Sequence, residues 1–486
     1  MNPYMVIGIV LGYFSILIII SHFTSREADT HIFFTANRKS PWYLVAFGMV
    51  GATLSGVTFI SVPGEVGNSA FAYLQFVFGN IVGYGIIAGI LLPMYYKLNL
   101  ISIYTFLQNR FGEYGYKTGS FFFLISKLTG AALRLYIVAV VLQIAFFDAF
   151  NIPFSITVIV TIALIWIYTY RGGIKTIVWT DTLQTFFLVS AVVFSMISIS
   201  RNLGWDSGNI LKEIFNSSYS KIFVWEWYSS NNFFKQFFAG IFTTIAINGL
   251  DQDMMQKNLT CKNLKEAQKN MLVFSLSFLV MIVLFLSLGV LLYEYAIKTG
   301  IVIPEKTDDF YPLLALNYLG FPISIAFLIG ITAATYSSAD SALTALTTSF
   351  CIDFIKIEKF EERKRKRIKK QVHLLFSLLL ILTILLFRII NNESIVIAVF
   401  RVAGYTYGPI LGLFIFGMYS KRQVKYMWIP FIGTIAPILC YFISKYSEIL
   451  FNGYKFGFEL LILNSLIVFA GLFIISKKHV ACNKLL

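Results

Sequence analysis

About thirteen apolar runs, each long enough to cross a bilayer, dominate the sequence. A helix needs about 20 apolar residues to span the hydrocarbon core. Helices are favoured there because every backbone polar group must be hydrogen-bonded inside the membrane. The chain is therefore predicted to be an all-α polytopic membrane protein. The runs cover residues 4–23, 43–62, 71–97, 119–147, 153–170, 177–200, 234–250, 268–297, 321–347, 371–390, 394–418, 426–445 and 456–476.

The composition excludes the soluble classes of protein. Hydrophobic residues make up 57% of the 486 residues and charged residues only 13%, whereas soluble proteins carry about 25% charged residues. The four cysteines and four histidines are scattered without metal-ligand spacing, so a metalloenzyme is not expected. The net charge of +15 does not indicate nucleic-acid binding, because the basic residues lie in short connectors between apolar runs.

The basic residues also predict the topology. Counted in chain order, the first, third and every further odd-numbered run is followed by basic residues. The alternate connectors 63–70, 148–153 and 391–393 contain few basic residues. The positive-inside rule then places the N-terminus outside and the C-terminus in the cytoplasm. The first run, 4–23, lacks a basic n-region and a cleavage site, and is interpreted as a retained span. The connector 356–370 holds nine Lys or Arg; it either only fixes the topology or also binds anionic lipid.

Two apolar runs are interrupted by polar and small residues. The first interruption is the segment Gly51–Gly56 in run 43–62. It is either unwound backbone that presents carbonyl groups to a cation or a place where helices pack closely through small residues. The second is the segment Thr332–Ala342 in run 321–347, which contains Asp340. A carboxylate in the membrane needs a partner or a cation.

The hydroxyl groups of Ser337, Ser338 and Ser341 share one helical face by their i, i+3, i+4 spacing. Neutral oxygen atoms beside a carboxylate suit a hard monovalent cation. Asp181, near the inner end of run 177–200, either shares such a cation with Ser341 and Asp340 or caps the N-terminus of its helix.

Three further polar side chains lie within apolar runs. Arg134 lies near the middle of run 119–147, where it either forks onto a substrate carboxylate or pairs with a protein carboxylate. Arg401 raises the same question more weakly, since a residue near the outer end of a span can extend to the interface. Gln75 either contributes a polar contact to the same cavity or serves packing.

Four separated stretches resemble the sodium/solute symporter family, which includes proline, galactose, iodide and sialic acid transporters. In this chain Lys257 stands where the family usually has Arg. The resemblance extends from residue 33 to about residue 425. The stretches are Phe33–Arg38 with Pro41 and Trp42; Gly172–Ile174 with Val178–Asp181 and Gln184; Asp251 and Gln252 with Gln256 and Lys257; and Ser337 and Ser338 with Asp353.

The resemblance implies a LeuT-like fold of two inverted five-helix repeats. The repeats would be residues 43–200 and 234–418, with one preceding helix and two following helices. Residues 1–486 would then form one transmembrane transporter domain, with the basic loop 353–370 in the cytoplasm.

The resemblance also implies three sets of site residues. A central sodium ion would be held by the hydroxyl groups of Ser337 and Ser338 and the carbonyl groups of Gly51, Leu54 and Ala334. A second sodium ion would be held by Asp181, Asp340 and Ser341, with Ser337 as a shared ligand and with a proton as the alternative occupant at Asp340. Thr53, Ser55, Thr58, Gln75 and Arg134 resemble the substrate contacts of the sialic acid transporter.

The function implied is that of a sodium-coupled secondary active symporter in the plasma (inner) membrane. It would import a small carboxylate-bearing solute, such as a sialic acid, a monocarboxylate or an amino acid, by alternating access. No enzyme activity, no cofactor apart from the coupling Na⁺, no nucleic acid and no obligate protein partner are expected. Contact with membrane lipid is expected. The alternatives are a proton-coupled or uncoupled carrier, and a solute sensor, which would be expected to carry a soluble output domain after the last run.

Overall fold

The computed structural model describes residues 3–24, 38–205, 210–390, 395–454 and 456–477, and most of these residues are helical. The resemblance stretch at Phe33–Asn37 and the connector 391–393 lie outside the described residues. The α-helices are Pro3–Thr24, Trp42–Thr53, Gly56–Ser69, Tyr73–Ile86, Leu92–Lys97, Thr105–Ala145, Phe154–Leu203, Ile210–Asn216, Phe233–Thr244, Gln252–Asn258, Leu264–Thr299, Phe310–Asn317, Phe321–Ser349, Glu362–Ile390, Ile395–Tyr419, Ile429–Lys445, Ser447–Leu450 and Leu460–Ile475.

Shorter elements connect or extend these helices. The π-helical segments are Ile87–Leu91, Ile245–Gly249 and Phe350–Phe354. The 3-10 segments are Phe147–Phe150, Ser218–Ser220, Thr307–Asp309, Ile357–Lys359 and Tyr426–Trp428. Two short strands, Gln423–Val424 and Ser476–Lys477, pair antiparallel.

The predicted all-helical membrane architecture is confirmed. Among the described residues, eight helices are long and apolar enough to cross a membrane, or ten if each of two bent helix pairs counts as one span. Leu11–Phe23, Phe154–Ile167 and Leu460–Ile475 are shorter apolar helices. The runs predicted at 153–170 and 177–200 fall within one helical stretch, Phe154–Leu203. The number of thirteen separate spans stays a prediction.

Two helix pairs are sharply bent. The first broken helix consists of Trp42–Thr53 and Gly56–Ser69, which meet at 60°. Its break lies at Leu54 (φ −79°, ψ 83°) and Ser55 (φ −78°, ψ 174°), where the backbone leaves the helical region. The second broken helix consists of Phe233–Gly249 and Gln252–Asn258, which meet at 71°.

The sequence analysis placed the second interruption in the wrong helix. Phe321–Ser349, hereafter the serine helix, is continuous through Thr332–Ala342. Every residue from Gly330 to Ser349 is buried. The serine helix packs against Thr105–Ala145, Phe154–Leu203 and both parts of the first broken helix. Its polar side chains are therefore surrounded by protein and not by lipid, so the helix does not have to unwind.

Close helix packing accompanies the first break. Any Cβ added at Gly51 would overlap the Thr185 hydroxyl group, and one at Gly56 would lie 2.6 Å from Thr335 Oγ1. Glycine at these positions lets the first broken helix approach both Phe154–Leu203 and the serine helix. The segment Gly51–Gly56 is therefore both broken and closely packed, and that its carbonyl groups face a cation stays a prediction.

Candidate functional site

A cavity of about 120 Å³ lies beside the break in the first broken helix. Its wall includes side chains from Thr105–Ala145, the second broken helix and Ile395–Tyr419. Four of the five predicted substrate contacts line it: Thr53, Ser55, Thr58 and Arg134. The Thr53 hydroxyl group is buried and has no hydrogen-bond partner among the residues that the structure describes. Because a buried polar group needs a partner, this hydroxyl group is available to a solute.

Gln75 does not line this cavity, which corrects its assignment to the substrate site. Its Nε2 donates to the carbonyl groups of Ala72, at 3.1 Å, and Asn231, at 2.9 Å. Its Oε1 accepts from the Val224 backbone N–H at 3.1 Å. The side chain thus anchors the connector before the second broken helix. Both ends of the amide are used, so it has little capacity left for a solute.

Arg134 is half-buried in the cavity wall. Its Nη1 donates to Ser338 Oγ at 3.3 Å. No salt bridge of 4.0 Å or less among the described residues involves Arg134, although its charge acts on the Asp253 carboxylate. The side chain therefore forms no close internal ion pair. A guanidinium group has five donors, which leaves donors for a carboxylate. The weaker candidate, Arg401, is exposed and does not line the cavity.

The break brings backbone oxygen atoms close to the serine helix. The Ser55 N–H would normally close a helical turn onto the Gly51 carbonyl group, but it donates to Thr53 O at 3.1 Å. The Gly51 carbonyl group therefore lacks the hydrogen-bond donor that it would have in a continuous helix. Leu54 lies in the break, between the helices Trp42–Thr53 and Gly56–Ser69. The helix that ends at Thr53 packs on the serine helix. The serine helix carries the other predicted ligands of the central sodium ion, Ala334, Ser337 and Ser338.

The predicted second sodium site contains a lysine side chain. Lys257 Nζ lies 2.7 Å from Asp181 Oδ2 and 2.7 Å from Ser341 Oγ. Ser337 Oγ donates to the other carboxylate oxygen, Asp181 Oδ1, at 2.5 Å. Ser341 Oγ in turn lies 3.3 Å from Asp340 Oδ1. We call Asp181, Lys257, Ser337 and Ser341 the lysine cluster.

Asp181 lies inside the helix Phe154–Leu203, so the alternative of an N-terminal cap is wrong. All members of the lysine cluster are at most 1% exposed.

A second group of charges was missed by the sequence analysis. Lys127 lies 2.7 Å from Asp253 and 3.3 Å from Asp251. Asp251 also accepts a hydrogen bond from the Tyr407 hydroxyl group and caps the helix Gln252–Asn258. Lys127 precedes Arg134 by seven residues, which places both on one helical face. An intramembrane charge is by default a candidate site residue, and this signal was available in the sequence.

The cavity is closed on the side of the lysine cluster. Residues 251–261 are buried throughout. Beyond them the Ser40 N–H donates to Thr260 O at 3.1 Å, and the Tyr96 hydroxyl group donates to Cys261 O at 3.0 Å. On the opposite side a second cavity of about 240 Å³ shares Val62 and Tyr73 with the first. A solute would therefore approach from the side of the second cavity.

Comparisons with known proteins give the family and the fold. The model of the sodium:solute symporter family matches residues 33–427. The sodium/sialic acid symporter NanT of Aliivibrio fischeri is 27% identical, over 86% of this chain and 83% of its own length. The sodium-coupled monocarboxylate transporter 1 of Xenopus laevis is 24% identical, over 81% of this chain and 62% of its own length.

A solved structure has a similar fold. It is the substrate-bound outward-open state of a Na⁺-coupled sialic acid symporter, with a TM-score of 0.80 at 20% identity, and the match covers 97% of this chain and 98% of that chain.

Proposed function

The chain belongs to the sodium:solute symporter family, and we propose that it imports a small carboxylate-bearing solute together with sodium by alternating access. Members of this family are transporters and not enzymes, so no covalent chemistry and no cofactor are required. One observation carries the proposal. Arg134 faces the cavity and also contacts Ser338 on the serine helix, beside the break in the first broken helix.

The solute class follows from the cavity wall. Arginine can bind a carboxylate through two parallel hydrogen bonds. The hydroxyl groups of Thr53, Ser55 and Thr58 lie in the same wall and can bind further polar groups of the solute. The relatives NanT and monocarboxylate transporter 1 are described as carriers of sialic acid and of monocarboxylates, which are both carboxylates. This agreement favours an acid over a neutral sugar.

The central sodium ion would bind where the first broken helix meets the serine helix. Its ligands would be the carbonyl groups of Gly51, Leu54 and Ala334 and the hydroxyl groups of Ser337 and Ser338. The lost helical bond at the Gly51 carbonyl group supports this placement. Sodium would join the two elements and stabilise the state that is closed at residues 251–261. Sodium would shift the equilibrium between the two conformations toward this state, because it would bind this state more tightly.

The two bent helices support the proposed repeats. The first broken helix begins the segment 43–200, and the second begins the segment 234–418. We propose that these segments are the inverted repeats and rock against one another within one domain of residues 1–486. With the N-terminus outside, the basic loop 353–370 would be cytoplasmic, and the second cavity would face outward. Sodium would then enter along its concentration gradient, and the membrane potential would add about 2.3 kcal/mol per 100 mV for each net charge that crosses with the solute.

Uptake into proteoliposomes tests the proposal. Labelled sialic acids, monocarboxylates, amino acids and sugars would be compared with and without an inward sodium gradient, after a screen by sodium-dependent thermal shift. We expect uptake of one class of acid that depends on the gradient. Equal uptake without sodium would indicate a proton-coupled or uncoupled carrier, and binding without flux would indicate a sensor; either result would overturn the proposal.

A further inference from the structure

We propose that the ammonium group of Lys257 takes the place of a second sodium ion, so that this transporter couples only one sodium ion to each solute. The inference rests on the proposed function, because it sets the stoichiometry of the same sodium-coupled cycle. It departs from the second sodium site that the resemblance implied at Asp181, Asp340 and Ser341.

The contacts of the ammonium group are those of a bound cation. It lies 2.7 Å from one oxygen of Asp181 and 2.7 Å from Ser341 Oγ. The Asp253 carboxylate lies 3.9 Å away, and Asp340 adds to the negative potential around it. Two of the three residues expected to hold sodium thus contact Lys257 Nζ directly. A sodium ion in contact with the same oxygen atoms would have to displace the ammonium group.

Burial makes such a displacement costly. Lys257 and Asp181 are each about 1% exposed or less. Removing one partner of a buried ion pair leaves an uncompensated charge, which is strongly destabilising. The side chain is also fixed by its helix, Gln252–Asn258, which the Asp251 carboxylate caps. The lysine therefore acts as a tethered cation.

The charges linked to this cluster leave a place for one more cation. Contacts of 4.0 Å or less join Asp181, Asp251 and Asp253 with Lys127 and Lys257. Asp340 acts on Lys257 and Arg134 acts on Asp253, which adds one charge of each sign. Four negative charges then face three positive charges, so one sodium ion balances the set. The Ser337 hydroxyl group connects Asp181 with the proposed central site. A sodium ion there lies within reach of this excess negative charge, whereas a second ion would leave a net positive charge in the membrane interior.

Sodium binding to the purified full-length protein tests the inference without a known solute. The probes are equilibrium binding of radioactive ²²Na⁺ and the thermal midpoint during a NaCl titration, with choline chloride holding the ionic strength constant. For the unmodified protein we expect about one bound ion and a Hill coefficient of about 1, which cannot exceed the number of sites. Two bound ions would overturn the inference, and this measurement does not depend on any variant.

Lys257→Met removes the ammonium group while keeping an unbranched apolar side chain. We expect it to bind about two sodium ions, with a Hill coefficient rising toward 2. Its thermal midpoint should be lower in choline and should recover in sodium, because an ion that binds only the folded state stabilises it. A folded Lys257→Met protein that still binds one ion, or that regains stability at acid pH and not in sodium, would contradict the inference.

Matched variants separate the two claims. Lys257→Arg keeps a cation and should keep one sodium ion. Lys257→Met combined with Asp181→Asn removes both charges and should also keep one. Absence of sodium binding by the unmodified protein would refute the proposed function itself. One ion in both the unmodified protein and Lys257→Met would refute the tethered cation alone.

Discussion

Arg134 Nη1 and Ser338 Oγ are 3.3 Å apart, and this hydrogen bond joins the proposed solute site to the proposed sodium site. The two residues come from Thr105–Ala145 and the serine helix. A carboxylate bound by Arg134 would offset its positive charge next to the sodium ion. Solute and sodium should therefore each raise the affinity of the other by the same factor, since equilibrium coupling is reciprocal.

Arg134→Gln should weaken binding of acids. We expect a loss of about 10- to 100-fold in affinity, because hydrogen bonds to charged groups contribute about 1.5–3 kcal/mol. The measurement is solute binding by calorimetry at saturating sodium. Arg201→Gln, at an exposed arginine outside the cavity, is the matched control. Normal binding of acids by Arg134→Gln would make the arginine a structural residue.

Ser337→Ala combined with Ser338→Ala should abolish the sodium dependence of uptake. The two hydroxyl groups are the proposed side-chain ligands of the central ion, and alanine offers no oxygen atom. Initial uptake rates in proteoliposomes, measured over a range of sodium concentrations, test this. Ser190→Ala removes a hydroxyl group that bonds to its own helix at Phe186 O and should leave sodium activation unchanged. If the double variant keeps its sodium activation, the central site is misplaced.

Gln75→Ala should lower stability and leave solute affinity nearly unchanged. The amide makes three hydrogen bonds, two of which hold the connector at Val224 and Asn231. Leaving buried groups without partners costs about 1–3 kcal/mol each, so a clear fall in the thermal midpoint is expected. Thermal unfolding and the KM for uptake should be measured on the same preparation. A large rise in KM at unchanged stability would return Gln75 to the substrate site.

Uptake of a monoanionic acid should not respond to membrane potential. One sodium ion and one carboxylate carry no net charge, whereas each net charge would change accumulation by about 50-fold per 100 mV, since it gains about 2.3 kcal/mol. A potassium diffusion potential set with valinomycin in proteoliposomes provides the measurement. Lys257→Met should become potential-dependent. Potential-driven uptake by the unmodified protein would argue for two sodium ions in each cycle.

Cys261 should report closure on the side of residues 251–261. Burial raises the pKa of the Cys261 thiol to about 12, so at neutral pH the reactive thiolate is scarce. Opening at residues 251–261 would expose the thiol to water, return its pKa toward the ordinary value and speed its reaction. Maleimide labelling should therefore be slower in sodium than in choline, with Cys261→Ser giving the background from other cysteines. Equal rates in both salts would speak against sodium-stabilised closure.

Several site residues could be predicted because their signals are local. The segment Gly51–Gly56 is too polar and too rich in small residues for a lipid-facing helix, and the structure breaks there. The polar segment Thr332–Ala342 was noticed because its hydroxyl groups and carboxylate are unusual in an apolar run, and the structure buries all of it. The same local criterion failed to show that the serine helix stays continuous, because its packing against several other helices satisfies groups that lipid would not.

Other features depended on contacts between remote segments. Lys257 and Asp181 are 76 positions apart, and no pattern in the sequence shows that one side chain reaches the other. Gln75 lies in the predicted run 71–97, but its side chain points toward the connector that contains Val224 and Asn231, to which it is hydrogen-bonded. The second broken helix breaks at Leu250 and Asp251, where the sequence has no stretch of small and polar residues like Gly51–Gly56 in the first broken helix.

The sequence by itself determined that this protein is a helical membrane transporter of the sodium:solute symporter family, since hydropathy, charge placement and short motifs are properties of neighbouring residues. Only the tertiary structure decided which charges meet. The lysine cluster exists because helices from three parts of the chain exclude water and lipid around Asp181. A buried carboxylate needs a cation as its partner, and the fold places the Lys257 ammonium group next to it.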